Sequence, residues 1–182
     1  MINELQKICK LISEVDMTKY NTYRLHTKSK CIVFPSNINE LKEALNIIKN
    51  YNEKFFIIGN GSNVILPDYY DGVIIKLEKF NDCKISEDYV YVECGYMINK
   101  LALDLVNMGY SGLEWATGIP GTIGGCVYNN AGAYNSSMSE ILISTTIYDG
   151  EKIRELSNEE NEFKYRDSTG KAAGICTTCR YI

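Results

Sequence analysis

Leu5, Ile8, Cys9 and Ile12 recur at helical spacing and predict a leading helix over residues 3–14. After "NTYRL" (residues 21–25), the run "CIVFP" reads as a short strand ended by Pro35. In "SNINELKEALNIIKN", Asn37 and Glu40 have capping-box spacing, and Leu41, Ala44, Leu45 and Ile48 form one apolar face, so a helix is predicted there. The apolar run Phe55–Phe56–Ile57–Ile58 predicts a strand, Gly59 and Gly61 a turn, and Val64–Ile65–Leu66 a short strand stopped by Pro67. With "DGVIIKL" as a further strand, residues 31–77 read as strand, helix, strand, turn, strand: a small α+β lobe.

A second lobe follows. "CKIS" and "YVYVEC" flank Glu87–Asp88 as a hairpin, its second arm alternating with period two. "MINKLALDLVNMG" is an amphipathic helix with Gly109 placed to end it. "ILISTTIY" and "EKIREL" flank Asp149–Gly150, the strongest hairpin turn in the chain. Ser157 and Glu160 form a second capping box for a short helix leading into "EFKYRDS". The expected organisation is a leading helix (1–16), two lobes (17–78 and 79–168) and a tail (169–182).

Composition narrows the function. A chain of 182 residues suffices for one substantial core or two small lobes sharing a ligand. A net charge of −4 without a basic tract argues against nucleic acid as a partner. No apolar run approaches a membrane span, and the N-terminus lacks a signal-peptide core, so a cytoplasmic location is expected. The seven cysteines are scattered and read as reduced, mostly buried small hydrophobes. Only Cys176 and Cys179 have ligand spacing; with no second such pair and one histidine, His26, no metal site is expected. His26 itself reads as a surface or capping residue.

Two glycine-rich stretches are candidates for chemistry. "IIGNGSNVIL" (57–66) has Gly-x-Gly after a strand, but Val64 replaces the third glycine of a dinucleotide fingerprint and no Gly-Lys-Ser/Thr follows. "SGLEWATGIPGTIGGCVYNNAGAY" (111–134) carries glycines at 112, 118, 121, 124, 125 and 132. Fixing so many glycines is entropically costly, which leaves two reasons for them: close backbone packing, or backbone N–H groups turned onto an anion. No lysine or arginine lies between Lys100 and Lys152, so an anion held there would rely on amides.

Taken in order, "NTYRL", "GNGSNVI", "GVIIKL", "SGLEWATGIPGTIGGCVYNNAGAY" and "LSNEENEFKYRDS" resemble the N-terminal two-thirds of the UDP-N-acetylenolpyruvoylglucosamine reductase family, from about Asn21 to Ser168. The resemblance implies the two-lobed α+β FAD-binding fold of the vanillyl-alcohol-oxidase/PCMH type, without a C-terminal substrate domain. FAD would be held noncovalently between the lobes of a monomer. It implies that Asn60, Gly61, Ser62 and Asn63 form a first pyrophosphate loop. Thr117, Gly118, Ile119, Pro120, Gly121, Gly124 and Gly125 would form a second flavin-contacting loop, with Gly124 or Gly125 at positive φ or close to the flavin.

The implied reaction belongs to peptidoglycan synthesis. A hydride from NADPH reaches C3 of an enolpyruvyl ether through FAD, and charge developing at C2 must be stabilised and protonated. Arg166 matches the active-site arginine, and Tyr134 and Tyr165 match substrate-side positions. The family's Gly-Ser-x-Phe segment, whose serine protonates C2, and a later glutamate do not occur in these 182 residues, so the chain alone is expected to lack turnover. After "KYRDS" the similarity is expected to end, and "TGKAAGICTTCRYI", with no Asn, Leu, Asp or Glu, reads as an aberrant or frameshifted tail. His26–Thr27 stand where the family often has Gly-Gly, and Cys126 where alanine is commoner. Two alternatives remain open: an oxidase of the same superfamily with flavin bound covalently to His26 or a cysteine, and a non-catalytic protein with a merely structural glycine loop.

Overall fold

The computed structural model describes residues 1–86 and 88–168 in full and the backbone of 175–181. Glu87, one half of the expected Glu87–Asp88 turn, and the side chains of Cys176 and Cys179 lie outside the described residues. The chain divides into two compact units, Met1–Lys79 and Phe80–Ile182, one residue from the expected boundary.

The first unit has a four-stranded sheet ordered β1-β2-β4-β3. Helix α1 (Ile2–Ile8) is half the predicted length, because the chain turns at Cys9 into strand β1 (Lys10–Asp16). Leu11, Ile12 and Val15 thus lie in an antiparallel ladder with β2 (Lys28–Phe34), from Lys10 opposite Phe34 to Asp16 opposite Lys28. Residues 1–16 are therefore part of the first lobe rather than a separate leading helix. The capping box of α2 (Ile38–Asn50) forms as expected. Asn37 Oδ1 accepts from the amides of Asn39 and Glu40 at 3.0 Å, and Glu40 reaches back to the Ser36 amide at 2.7 Å.

Strands β3 (Phe55–Ile58) and β4 (Tyr69–Lys76) are parallel, not a hairpin. Parallel neighbours require the chain to return along the full strand before pairing again. Residues 59–68 make that return, so the strand predicted at Val64–Leu66 does not form, and Ile65 is exposed. Central strands β2 and β4 bury both faces. Ile32, Phe34 and Ile74 pack with Val15, Met17 and Ile58 in one cluster, while Cys31, Val33, Val73 and Ile75 are buried between them in sequence.

The second unit holds a short ladder of β7 (Gly132–Ala133) with β8 (Ser136–Ser137) and an antiparallel sheet ordered β10-β9-β11-β6-β5, in which β11 is Ile175–Tyr181. The predicted hairpins appear as β5 (Cys83–Ile85) with β6 (Val90–Glu93), and β9 (Leu142–Tyr148) with β10 (Ile153–Ser157). At the second turn Asp149 accepts from the amides of Glu151 and Lys152, which holds its carboxyl below the usual range, and Gly150 takes φ +97°. Helix α3 (Ile98–Asn107) ends as predicted, with Gly109 at φ +86°. It buries Ile98, Leu101, Ala102 and Leu105 against Val90, Val92, Trp115 and Ile123. The Ser157–Glu160 box forms, but it opens one 3-10 turn, Glu159–Asn161, closed by Glu162 at φ +44°.

The tail departs furthest from expectation. The backbone of Ile175–Tyr181 is β11, paired with both β9 and β6 in the middle of the sheet. Ladder hydrogen bonds are made by backbone groups, so a strand tolerates a sequence with little motif content.

Candidate functional site

In the first unit, two of the sequence motifs clasp each other. Asn21, the first residue of "NTYRL", is buried and organises its own loop. Its amide nitrogen donates to the Met17 and Leu25 carbonyls at 2.9 and 3.1 Å, and its oxygen accepts from the Leu25 amide at 2.9 Å. The ordered loop then holds the glycine turn: the Thr22 amide donates to Gly61 O at 3.1 Å and the Tyr23 hydroxyl to Ser62 O at 3.0 Å. Gly61 has φ +68°, and a Cβ there would overlap the Tyr20 carbonyl and lie 2.8 Å from Asn21 Cα. Asn60, Gly61, Ser62 and Asn63 are thus brought together on a fixed backbone, with Asn63 exposed and Asn60 and Ser62 half-buried. From β4, Lys76 Nζ donates to Gly59 O at 2.7 Å at the start of the same turn.

His26 is exposed, its Nδ1 3.2 Å from Thr18 Oγ1, in keeping with a surface residue. The Thr27 hydroxyl beside it is buried with no hydrogen-bond partner among the described residues, a local cost.

In the second unit, close packing accounts for some glycines of the glycine-rich stretch and not for others. Gly124 N donates to Cys94 O at 2.8 Å, and a Cβ at Gly124 would lie 2.9 Å from Cys94 Cβ. A Cβ at Gly121 would meet Cys126 Sγ at 2.8 Å. These glycines allow close packing. Gly118 differs: a Cβ there would meet nothing within 4 Å, and Thr117, Gly118 and Pro120 are exposed while Ile119 is half-buried. Of the two alternatives expected at Gly124 or Gly125, positive φ does not occur, which leaves close approach of the backbone to the flavin. Both lie inside α4 (Ile123–Tyr128), capped by Thr122, where the helix imposes negative φ. Loop 117–120, with no side chain at Gly118, is an open part of the stretch, as is Gly112.

Arg166 stands at the tip of a tight turn. Lys164 and Asp167 exchange backbone hydrogen bonds at 3.0 and 3.2 Å, leaving Tyr165 and Arg166 outside. The guanidinium carbon lies 5.8 Å from the Tyr165 ring centroid, and Tyr165 is 91% exposed. Arg166 takes φ +56°, and Tyr134 and Asn135, in the other motif, take +52° and +64°. Non-glycine residues rarely occupy this region, and clusters of them accompany functional sites. Tyr134 is 90% exposed.

Asn130 joins the two motifs, which sequence reasoning missed. Its amide nitrogen donates to Lys164 O at 3.1 Å, and its oxygen accepts from the Ser139 amide at 3.1 Å. Ser168 adds a second tie, donating to Tyr128 O at 3.1 Å. A single asparagine in "NNAGAY" carries no local sign of a partner 34 residues away.

Among the described residues no group of three or more His, Cys, Asp or Glu could hold a metal ion, and no helix is long and apolar enough to cross a membrane. Cys9, Cys31, Cys83 and Cys126 are thiols outside any disulfide. Burial pushes Cys9 and Cys31 up to about 11 and Cys126 up to about 12.

The two lobes, one with a clasped glycine turn and the other with an open glycine loop, have the fold of a flavin-binding class of protein. The chain belongs to the FAD binding domain family, whose profile matches residues 29–152. Its similarity in sequence is to reductases. It is 37% identical over 183 residues to the UDP-N-acetylenolpyruvoylglucosamine reductase of Bacillus subtilis (strain 168), covering 97% of this chain and 60% of that one. It is 42% identical over 165 residues to the enzyme of the same name from Anoxybacillus flavithermus (strain DSM 21510 / WK1), covering 88% and 55%. The crystal structure of the reductase from Thermus caldophilus superimposes with a TM-score of 0.78 at 25% identity, over 96% of this chain and 61% of that chain. A chitooligosaccharide oxidase shares the fold, with a TM-score of 0.79 at 17% identity, over 99% and 42%.

The chain therefore spans somewhat more than half the length of these curated relatives. An alignment covering 97% of the chain also extends past Ser168, so similarity does not end at the "KYRDS" motif as expected.

Proposed function

We propose that this chain is the FAD-binding part of an NADPH-dependent reductase that converts UDP-N-acetylglucosamine enolpyruvate to UDP-N-acetylmuramate for peptidoglycan synthesis. The observation that carries the reading is the clasp of "NTYRL" on "GNGSN", which fixes a backbone turn around Gly61 that no side chain could enter.

The residues present fit FAD. The turn at Asn60–Asn63 offers amides and short polar side chains suited to a diphosphate. The open Gly118 lets a planar ring approach the backbone of loop 117–121. When bound, FAD supplies the hydride chemistry. Arg166, presented on its turn and tied through Asn130, pairs with the substrate carboxylate and stabilises negative charge as it develops at C2. Tyr134 and Tyr165 present exposed rings to the nucleotide-sugar substrate.

Covalent flavin attachment at three of the cysteines is disfavoured by their burial. A thiol must ionise to act as a nucleophile, and burial holds Cys9, Cys31 and Cys126 well above neutrality. Acid precipitation of the flavin-loaded chain is expected to leave all the yellow colour in the supernatant. Flavin absorbance that stays with the pellet would overturn the noncovalent reading.

A further inference from the structure

We propose that Lys76 is a ligand-binding residue, whose ammonium neutralises a negative charge of the FAD diphosphate beside the Gly59–Asn63 turn. The proposal rests on the FAD reading above and adds a residue to it.

Position comes first. Lys76 ends β4 and pairs in register with Ile58, the last residue of β3, while its predecessor Ile75 pairs with Val33 near the end of β2. Its side chain therefore starts from the carboxyl ends of three parallel-running strands, where open α/β sheets place ligands. Its Nζ donates to Gly59 O at 2.7 Å and lies 6.0 Å from the Tyr20 ring centroid. Tyr20 and Gly59 belong to the two halves of the clasp around Gly61. One cation thus bridges both halves.

The electrostatics are incomplete without a ligand. An ammonium carries three donors, and Gly59 O takes one of them. Among the described residues no carboxylate lies within 4 Å of Lys76, whereas half-buried Lys30 in the same unit pairs with Glu53 at 2.6 Å. Burial lowers the Lys76 pKa from the usual lysine value, and Glu78 opposes this from a distance. A half-buried cation that, among the described residues, has a carbonyl and an aromatic ring but no carboxylate beside it is destabilising until an anion reaches it. The adjacent turn, with exposed Asn63 and half-buried Asn60 and Ser62, is the place on this unit suited to receive one.

The test compares wild type, Lys76→Met and Lys76→Arg by flavin-fluorescence titration with FAD at 50 and 300 mM NaCl, with melting temperatures taken without ligand. Lys76→Met is expected to weaken FAD binding about ten- to a hundredfold, as loss of a charged hydrogen bond implies. Lys76→Arg is expected to recover most of it. The affinity of wild type should fall more steeply with salt than that of Lys76→Met, because one screened attraction is gone. The ligand-free melting temperature of Lys76→Met should stay level or rise. Equal affinity or equal salt dependence in wild type and Lys76→Met would overturn the assignment, as would a loss of affinity matched by a lower ligand-free melting temperature. A wild-type chain that binds no FAD would remove the FAD reading instead. Lys76 would then be judged with inorganic pyrophosphate, which must raise the melting temperature of wild type and not of Lys76→Met.

Discussion

Gly61→Val is expected to lose on the order of 3–5 kcal/mol of stability and all measurable FAD binding. Two costs act together. At φ +68° a β-branched side chain is forced into the left-handed region, worth roughly 1–2 kcal/mol on its own. The new Cβ also overlaps the Tyr20 carbonyl, and that backbone cannot move aside freely. It is held by the Thr22–Gly61 hydrogen bond and by the three hydrogen bonds of buried Asn21. A loss of this size is a large share of ordinary domain stability, about 5–15 kcal/mol. Urea unfolding followed by far-UV dichroism measures it, with Gly118→Ala as control. The control replaces a glycine whose Cβ would meet nothing, so its stability should stay within about 0.5 kcal/mol of wild type. If Gly61→Val unfolds at the wild-type urea concentration, the clasp does not hold the turn.

The second large effect is an absence of turnover. Expressed as these 182 residues, the chain is expected to form no UDP-N-acetylmuramate at an enzymatic rate, even with FAD bound. Hydride delivery to C3 leaves negative charge at C2, which must be both stabilised and protonated. Arg166 can do the first, but a guanidinium cannot donate its proton near neutral pH. The serine hydroxyl nearest in sequence, on Ser168, is buried and already donates to Tyr128 O. General acid catalysis is worth roughly 10²–10⁴-fold, so its lack alone makes the reaction slow. NADPH oxidation with UDP-N-acetylglucosamine enolpyruvate, with the product identified by mass, provides the measurement. Stoichiometric product at about 1 s⁻¹ or faster would show that the donor lies within these residues.

Much of this molecule could be read from residues that carry their own local signal. Asn37 and Glu40 announce α2 because a cap is made within four residues, and Asp149–Gly150 announces its hairpin for the same reason. Leu5, Ile8, Cys9 and Ile12 misled because a helical repeat of four positions also fits a short helix followed by a strand. Only the partner β2, eighteen residues on, decides between them. Val64–Leu66 misled likewise, since a parallel pairing of β3 with β4 is invisible in either strand alone.

The site divides in the same way. The glycine motifs were legible as a class, but packing roles for Gly121 and Gly124 and an open face at Gly118 depend on Cys126, Cys94 and empty space. Lys76 and Asn130 are single polar residues whose partners lie 17 and 34 positions away, so nothing beside them in the chain marks them out.

A thermal melt with and without FAD tests most directly whether this chain binds the cofactor. At one hundred times its dissociation constant, FAD is expected to stabilise the chain by about 2.7 kcal/mol, raising the melting temperature by several degrees. A melting temperature that does not move at any concentration of FAD up to solubility would contradict the account.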